Sequence, residues 1–128
     1  MNTTNLESFG RVHRGPFSVS DRVPASGPAL SFGNGRSYGD SCLPAAGGTA
    51  IAAGASSVDF DAGSGLLEAS AGTTLSDIIL HCGPLGWFLP VTPGTKHVTL
   101  GGAIANDVHG KNHHLSGSFR WHVEWLDL

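Results

Sequence analysis

Glycine sets the limits on this chain. Nineteen of its 128 residues are glycine and seven are proline. The glycines follow no period of three, so a collagen-like repeat is excluded. A bundle of long helices is excluded as well, because each glycine inside a helix costs about 1 kcal/mol relative to alanine. A disordered tail would need low hydrophobicity and high charge, whereas 40% of these residues are apolar and only 13% charged. The pattern predicts a compact, loop-rich α+β domain with short strands, whose backbone turns sharply or approaches something closely.

One domain is expected at this length. Seven Lys and Arg face ten Asp and Glu, for a net charge of -3, so no basic footprint for nucleic acid is present. The densest basic run is Arg11, His13 and Arg14. No apolar stretch reaches the roughly 18 residues of a membrane span, and the N-terminus lacks the apolar stretch of a signal peptide. A cytoplasmic chain is therefore expected, with peripheral membrane association of a longer protein left open. Cys42 and Cys82 stand alone, outside any CxxC context, and are expected as reduced, buried thiols.

Residues 1–27 are polar, with scattered glycine and proline, and read as an extended N-terminal segment ahead of a domain over 28–128. The apolar run 28–32 predicts a buried strand, followed by shorter strands at 49–53, 58–60 and 66–71, with Gly63-Ser64-Gly65 as a tight turn. A helix is predicted from Thr73-Thr74, with a threonine cap and Asp77 in its first turn. Leu75, Ile78, Ile79 and Cys82 make one apolar face, and Gly83-Pro84 ends it. A strand is expected at 87–89, a second helix at 99–106 and a strand at 123–128. The sequence stops inside that last strand, so truncation of a longer protein within the domain is expected.

Three glycine-rich segments can carry chemistry. The first, Gly33-Asn34-Gly35-Arg36-Ser37-Tyr38-Gly39-Asp40, follows a strand directly. It is neither a Walker loop nor a clean GxGxxG, yet its glycines allow successive N–H groups to face one anion, with Arg36 and Ser37 adding donors. An ordinary turn with a solvent-facing arginine accounts for the same residues. The second segment runs from Pro93-Gly94 to a helix start at Thr99, where unsatisfied N–H groups could meet a ligand; close helix packing also demands its glycines. The third holds Asp107, His109, His113 and His114. A metal site, structural histidines and a cofactor-facing His109 all remain open there.

GRSYGD (35–40), PGT (93–95), VTLGGAIAND (98–107) and HGKNHHLSGSF (109–119) occur in that order. Together they resemble the decaprenylphosphoryl-β-D-ribose 2-oxidase family, flavoenzymes of the vanillyl-alcohol-oxidase superfamily with a p-cresol-methylhydroxylase-type FAD-binding domain. The resemblance extends from about residue 28 to 128 and implies the first lobe of such a domain, incomplete here. It implies FAD held by the 31–41 loop: Ser31, Phe32, Gly33, Asn34, Gly35, Arg36, Ser37, Tyr38, Gly39, Asp40 and Ser41. A second group is Gly94, Thr99, Leu100, Gly101 and Gly102, and a third is Asn106, Asp107, Val108 and His109, with His109 near the flavin ring as the catalytic candidate. Members with covalent flavin carry histidine where Arg36 stands, so a non-covalent FAD is expected.

The implied activity is oxidation of a sugar hydroxyl, at C2 of a polyprenylphosphoryl ribose or a similar lipid-linked sugar, by hydride transfer to flavin. A short-chain reductase partner would complete an epimerisation feeding cell-wall arabinan synthesis. The catalytic base would lie in sequence beyond Leu128, so the fragment alone is expected to be inactive. Two other classes remain: a non-catalytic flavin or nucleotide module working with a partner chain, and a metal protein built on the histidine cluster.

Overall fold

A computed structural model describes residues 3–128. The chain divides into two compact units, Met1–Ala55 and Ser56–Leu128.

The first unit is a four-stranded sheet in the order β1-β2-β4-β3. Its strands are β1 (Thr3–Glu7), β2 (His13–Ser20), β3 (Ala29–Phe32) and β4 (Thr49–Ala52). β1 and β2 form an antiparallel hairpin, while β4 pairs in parallel with both β2 and β3. Parallel neighbours need a connection of a dozen residues or more. Residues 33–48 supply the one between β3 and β4 without forming a helix. They leave the carboxyl end of β3, and Cys42, Leu43 and Pro44 within them are buried, as are Phe17 and Ala50 on the strands.

Two expectations change here. Residues 1–27, expected as a separate extended segment, supply half of the sheet, because β2 has β4 as a ladder partner. Strand 28–32 is expected to be buried, but β3 sits at the sheet's edge and exposes Ala29, Leu30 and Ser31.

The second unit opens with β5 (Val58–Asp61) and β6 (Leu66–Ala69), an antiparallel pair. Their turn is built by Asp61: its carboxylate accepts from the Gly63 N–H at 2.9 Å and the Ser64 hydroxyl at 2.6 Å, and Gly65 takes φ of 79°. Then come the helices α1 (Leu75–Cys82), α2 (Leu100–Ala105) and the single turn α3 (His113–Ser116). Leu75, Ile78, Cys82, Val91, Ala103 and Phe119 form the core, with Val58, Phe60 and Leu67 packed against it. Burial raises the Cys82 thiol pKa, as expected of an inert core cysteine.

α1 is capped as its sequence predicts: Thr74 accepts from the Asp77 N–H at 3.1 Å and Asp77 accepts from the Thr74 N–H at 3.1 Å. The helix passes into a 3-10 turn, Gly83–Leu85. The strand expected at 87–89 is absent. The Trp87 N–H closes the helix end on the Cys82 carbonyl at 3.2 Å, and its ring covers Gly65 and meets Phe60 edge-on at 5.8 Å. Residues 123–128 are not a strand either, because no described residue offers them a ladder. Among the described residues no helix is long and apolar enough to cross a membrane.

Candidate functional site

In the first unit the 33–41 loop separates two kinds of glycine. Gly35 is buried at φ of 59°, and a Cβ there would strike the Glu7 carbonyl oxygen. Gly39 has nearly the same φ, 58°, yet nothing lies within 4 Å of the place a Cβ would take. The fold itself therefore requires Gly35, while Gly39 opens onto free space. Arg36 is exposed and makes no ion pair among the described residues. The amides of Arg36, Tyr38 and Gly39 donate to no backbone carbonyl among the described residues. An unpaired guanidinium beside unengaged amides at the carboxyl end of a parallel strand fits a diphosphate.

Other loop residues are committed within the unit. Asp40 is ion-paired to Arg14, Nη2 to Oδ2 at 2.6 Å. The Ser41 hydroxyl donates to the Tyr38 carbonyl at 3.0 Å, and the Ser37 carbonyl accepts from the Phe9 N–H at 3.3 Å. Ser31 is exposed on the edge strand, and Phe32 lies half-buried with its ring beside Gly35. Gly33 and Asn34 are exposed at the start of the loop.

In the second unit, the expectation of free N–H groups at the start of α2 is overturned. The Leu100 N–H donates to the Thr73 carbonyl at 2.7 Å and the Gly101 N–H to the Ala71 carbonyl at 2.9 Å. Gly102 donates to the Thr99 hydroxyl at 3.2 Å. The start of α1 is treated in kind, with Leu75 donating to the Val98 carbonyl at 3.0 Å and Ser76 to the Lys96 carbonyl at 2.8 Å. Thr74 and Thr99 form an antiparallel bridge, so each helix start is satisfied by the segment leading into the other. Gly101 fits this arrangement closely: a Cβ would come to 3.0 Å from that of Ala71, which would have to give by a few tenths of an ångström.

The far end of α2 is equally committed. Asn106 donates from its side chain to the Gly102 carbonyl at 2.8 Å. Asp107, at φ of 43°, accepts from the Arg120 N–H at 3.1 Å and from its Nε at 3.2 Å. The Arg120 N–H, then the Ser118 hydroxyl and the Arg120 and His109 charges, hold the Asp107 carboxyl below its ordinary pKa. The Val108 N–H donates to the Ala103 carbonyl at 3.0 Å, and His109 bridges to Ser118.

Of the expected residues in this unit, the structure brings Gly94 and His109 to one hollow of about 720 Å³. Gly94 faces open space. Thr92, Pro93, Gly110, Lys111, Asn112 and His113 complete the lining, so no carboxylate lines it. Lys111, Asn112 and His113 stand in the quoted HGKNHH motif, which was the signal available for them. Asn112 ties the hollow's two sides, donating to the Pro90 carbonyl at 3.0 Å, and a Cβ on Gly110 would reach 2.5 Å from the Thr92 carbonyl oxygen. Leu100 and Gly101 instead line a larger cleft of about 1540 Å³ with apolar residues such as Phe60, Ile104 and Trp125.

The three clustered histidines lie ring against ring. His109 and His113 meet edge-on at 5.6 Å and His113 and His114 at 6.0 Å. No group of three or more His, Cys, Asp or Glu among the described residues is placed to hold an ion.

Residues 25–128 match a family model described as FAD binding domain. The chain is 41% identical over 100 residues to decaprenylphosphoryl-beta-D-ribose oxidase of Mycolicibacterium smegmatis, an alignment covering 77% of this chain and 22% of that protein. It is 53% identical over 54 residues to an uncharacterized protein in the mprA 5' region of Streptomyces coelicolor, covering 42% of this chain and 14% of that one. The chain therefore spans about a fifth or less of the length of these relatives.

Proposed function

Since the chain belongs to the FAD-binding domain family and FAD is its cofactor, we propose that it is the cofactor-holding part of a flavin-dependent oxidoreductase acting on a sugar hydroxyl. The observation that carries this reading is the 33–41 loop: Arg36 unpaired, amides unengaged and Gly39 open, at the end of a parallel strand. There Arg36 would neutralise diphosphate charge while the amides of Tyr38 and Gly39 orient it. Ser31, Phe32, Gly33, Asn34, Gly35, Ser37, Asp40 and Ser41 would shape the loop around it.

In the second unit the proposed role of Thr99, Leu100, Gly101 and Gly102 is to fix the start of α2, since their amides are already engaged. Asn106, Asp107 and Val108 would hold His109 at the hollow it shares with Gly94. His109 is the proposed residue beside the reacting end of the cofactor. When bound, the flavin supplies the acceptor for the two electrons leaving the substrate C–H bond. The name of the 41%-identical relative supports a polyprenylphosphoryl ribose as substrate class, and a reductase of the keto product is the proposed partner.

The test begins with the chain purified, stripped of flavin and titrated with FAD, following quenching of flavin fluorescence. Saturable binding released by acid precipitation is expected, because Arg36 occupies the place of a flavin-linking histidine. Absence of saturable binding refutes the cofactor assignment, and yellow colour persisting in the acid pellet refutes a non-covalent site. With the corresponding longer protein, anaerobic addition of a polyprenylphosphoryl ribose is expected to bleach the flavin's visible absorption. Unchanged absorption refutes the substrate class.

A further inference from the structure

The basic run at residues 11–14 lies at the turn of a hairpin. β1 and β2 meet at a turn in which the Ser8 N–H donates to the Val12 carbonyl at 3.1 Å and Arg11 takes φ of 57°. Four independent contacts join this hairpin to the 33–41 loop. The Glu7 carbonyl fills the place a side chain at Gly35 would need. The Phe9 N–H donates to the Ser37 carbonyl at 3.3 Å. The Phe9 and Tyr38 rings meet edge-on at 5.6 Å. Arg14 holds Asp40 at 2.6 Å. Residues 3–20 lie outside the 25–128 span that the family model matches, so none of these four contacts is part of that match.

We propose that the β1–β2 hairpin is the brace that presets the cofactor's diphosphate loop, with Arg14 as a positioning residue acting through Asp40. The inference rests on the reading of the 33–41 loop as the diphosphate site. The electrostatic argument is direct. Asp40 is the one anionic side chain in that loop, and a carboxylate within a few ångströms of a diphosphate repels it, though solvent screens the pair. Arg14 removes that repulsion twice over, by cancelling the charge and by drawing the carboxylate onto β2, leaving Arg36 as the loop's net charge. Glu7 and Phe9 fix the loop backbone at Gly35 and Ser37, so its amides are arranged before the cofactor arrives.

FAD titration by fluorescence quenching, at matched thermal stability of the cofactor-free proteins, separates the possibilities. Arg14→Ala leaves Asp40 uncompensated and is expected to weaken FAD binding about fivefold, on the scale of an exposed ion pair. Asp40→Asn is expected to weaken it less. The double variant Arg14→Ala/Asp40→Asn is expected to bind like Asp40→Asn alone, a rescue that a purely structural role for Arg14 would not produce. Wild-type affinity in Arg14→Ala overturns the proposal. So does a double variant weaker than either single one, which would mean that Arg14 acts on the cofactor directly. Arg36→Ala tests the underlying reading separately. If it too keeps full affinity, the loop is not the diphosphate site; if it alone weakens binding, the loop reading stands and the brace fails.

Discussion

Alanine at Gly35 and at Gly39 distinguishes two reasons for a glycine in the same loop. The two backbones are nearly alike, with φ of 59° and 58°. The cost of an L-residue in the left-handed region, about 1–2 kcal/mol, therefore enters both substitutions equally. Space does not. A Cβ on Gly35 strikes the Glu7 carbonyl oxygen and comes to 3.4 Å from the Phe32 ring, while one on Gly39 meets nothing within 4 Å. Glu7 is the last residue of β1, and the colliding atom is backbone, so relief requires the hairpin to move. Overpacking of this kind costs about 1–3 kcal/mol. Gly39→Ala is thus expected to destabilise the cofactor-free chain by about 1–2 kcal/mol, and Gly35→Ala by about 2–5 kcal/mol. Urea denaturation followed by circular dichroism, without FAD, measures the difference. It should appear as a midpoint lower by about 1 M for Gly35→Ala than for Gly39→Ala. Equal midpoints would refute the collision. Gly35 would then carry only the left-handed backbone cost that it shares with Gly39.

Two further outcomes follow from the helix starts of the second unit. Thr99→Ala removes the acceptor of the Gly102 N–H and is expected to cost about 1 kcal/mol, lowering the melting temperature by roughly 3–6 °C. Thr99→Ser should restore most of it, and equal losses in the two variants would assign the effect to methyl packing. The Asp77 carboxyl is held below its ordinary pKa by the Thr74 hydroxyl first and the Thr74 N–H second. Its contribution is therefore complete above the unfolded value of about 4 and fades as the pH falls through the lower folded value. Asp77→Asn should flatten the acid limb of a melting-temperature profile over about pH 5 to 2; an unchanged acid limb would refute the cap.

What could be read from the sequence was local. The Thr74–Asp77 capping box and the Asp61 turn each close within four residues, so spacing alone predicts them. The strands expected at 87–89 and 123–128 have the right composition, but a strand exists only with a partner, and partnership is not written in a hexapeptide. Glycine positions were legible while their reasons were not. Gly101 answers to Ala71 and Gly110 to Thr92, both inside the chain, Gly39 answers to its own left-handed backbone, and at Gly94 nothing lies within 4 Å of a Cβ. Arg14 and Asp40 lie twenty-six positions apart and look in isolation like two surface charges.

The same distinction decides which amides remain for an anion. α1 and α2 start side by side across the Thr74–Thr99 bridge, bringing two positive helix ends together. α2 has no acidic residue in its first turn, and Asp77 is the carboxylate at this junction. The first amides of both helices are consumed by the carbonyls of Ala71, Thr73, Lys96 and Val98 and by the two threonine hydroxyls. A phosphate placed there would have to break bonds of 2.7–3.2 Å before making its own. At the 33–41 loop no such exchange is needed for Arg36, Tyr38 and Gly39, whose amides the backbone leaves unengaged. The amides of the glycine-rich helix start are therefore engaged within their own unit. The glycine-rich loop, whose one carboxylate is already taken by Arg14, needs no such bonds broken before its free amides meet negative charge.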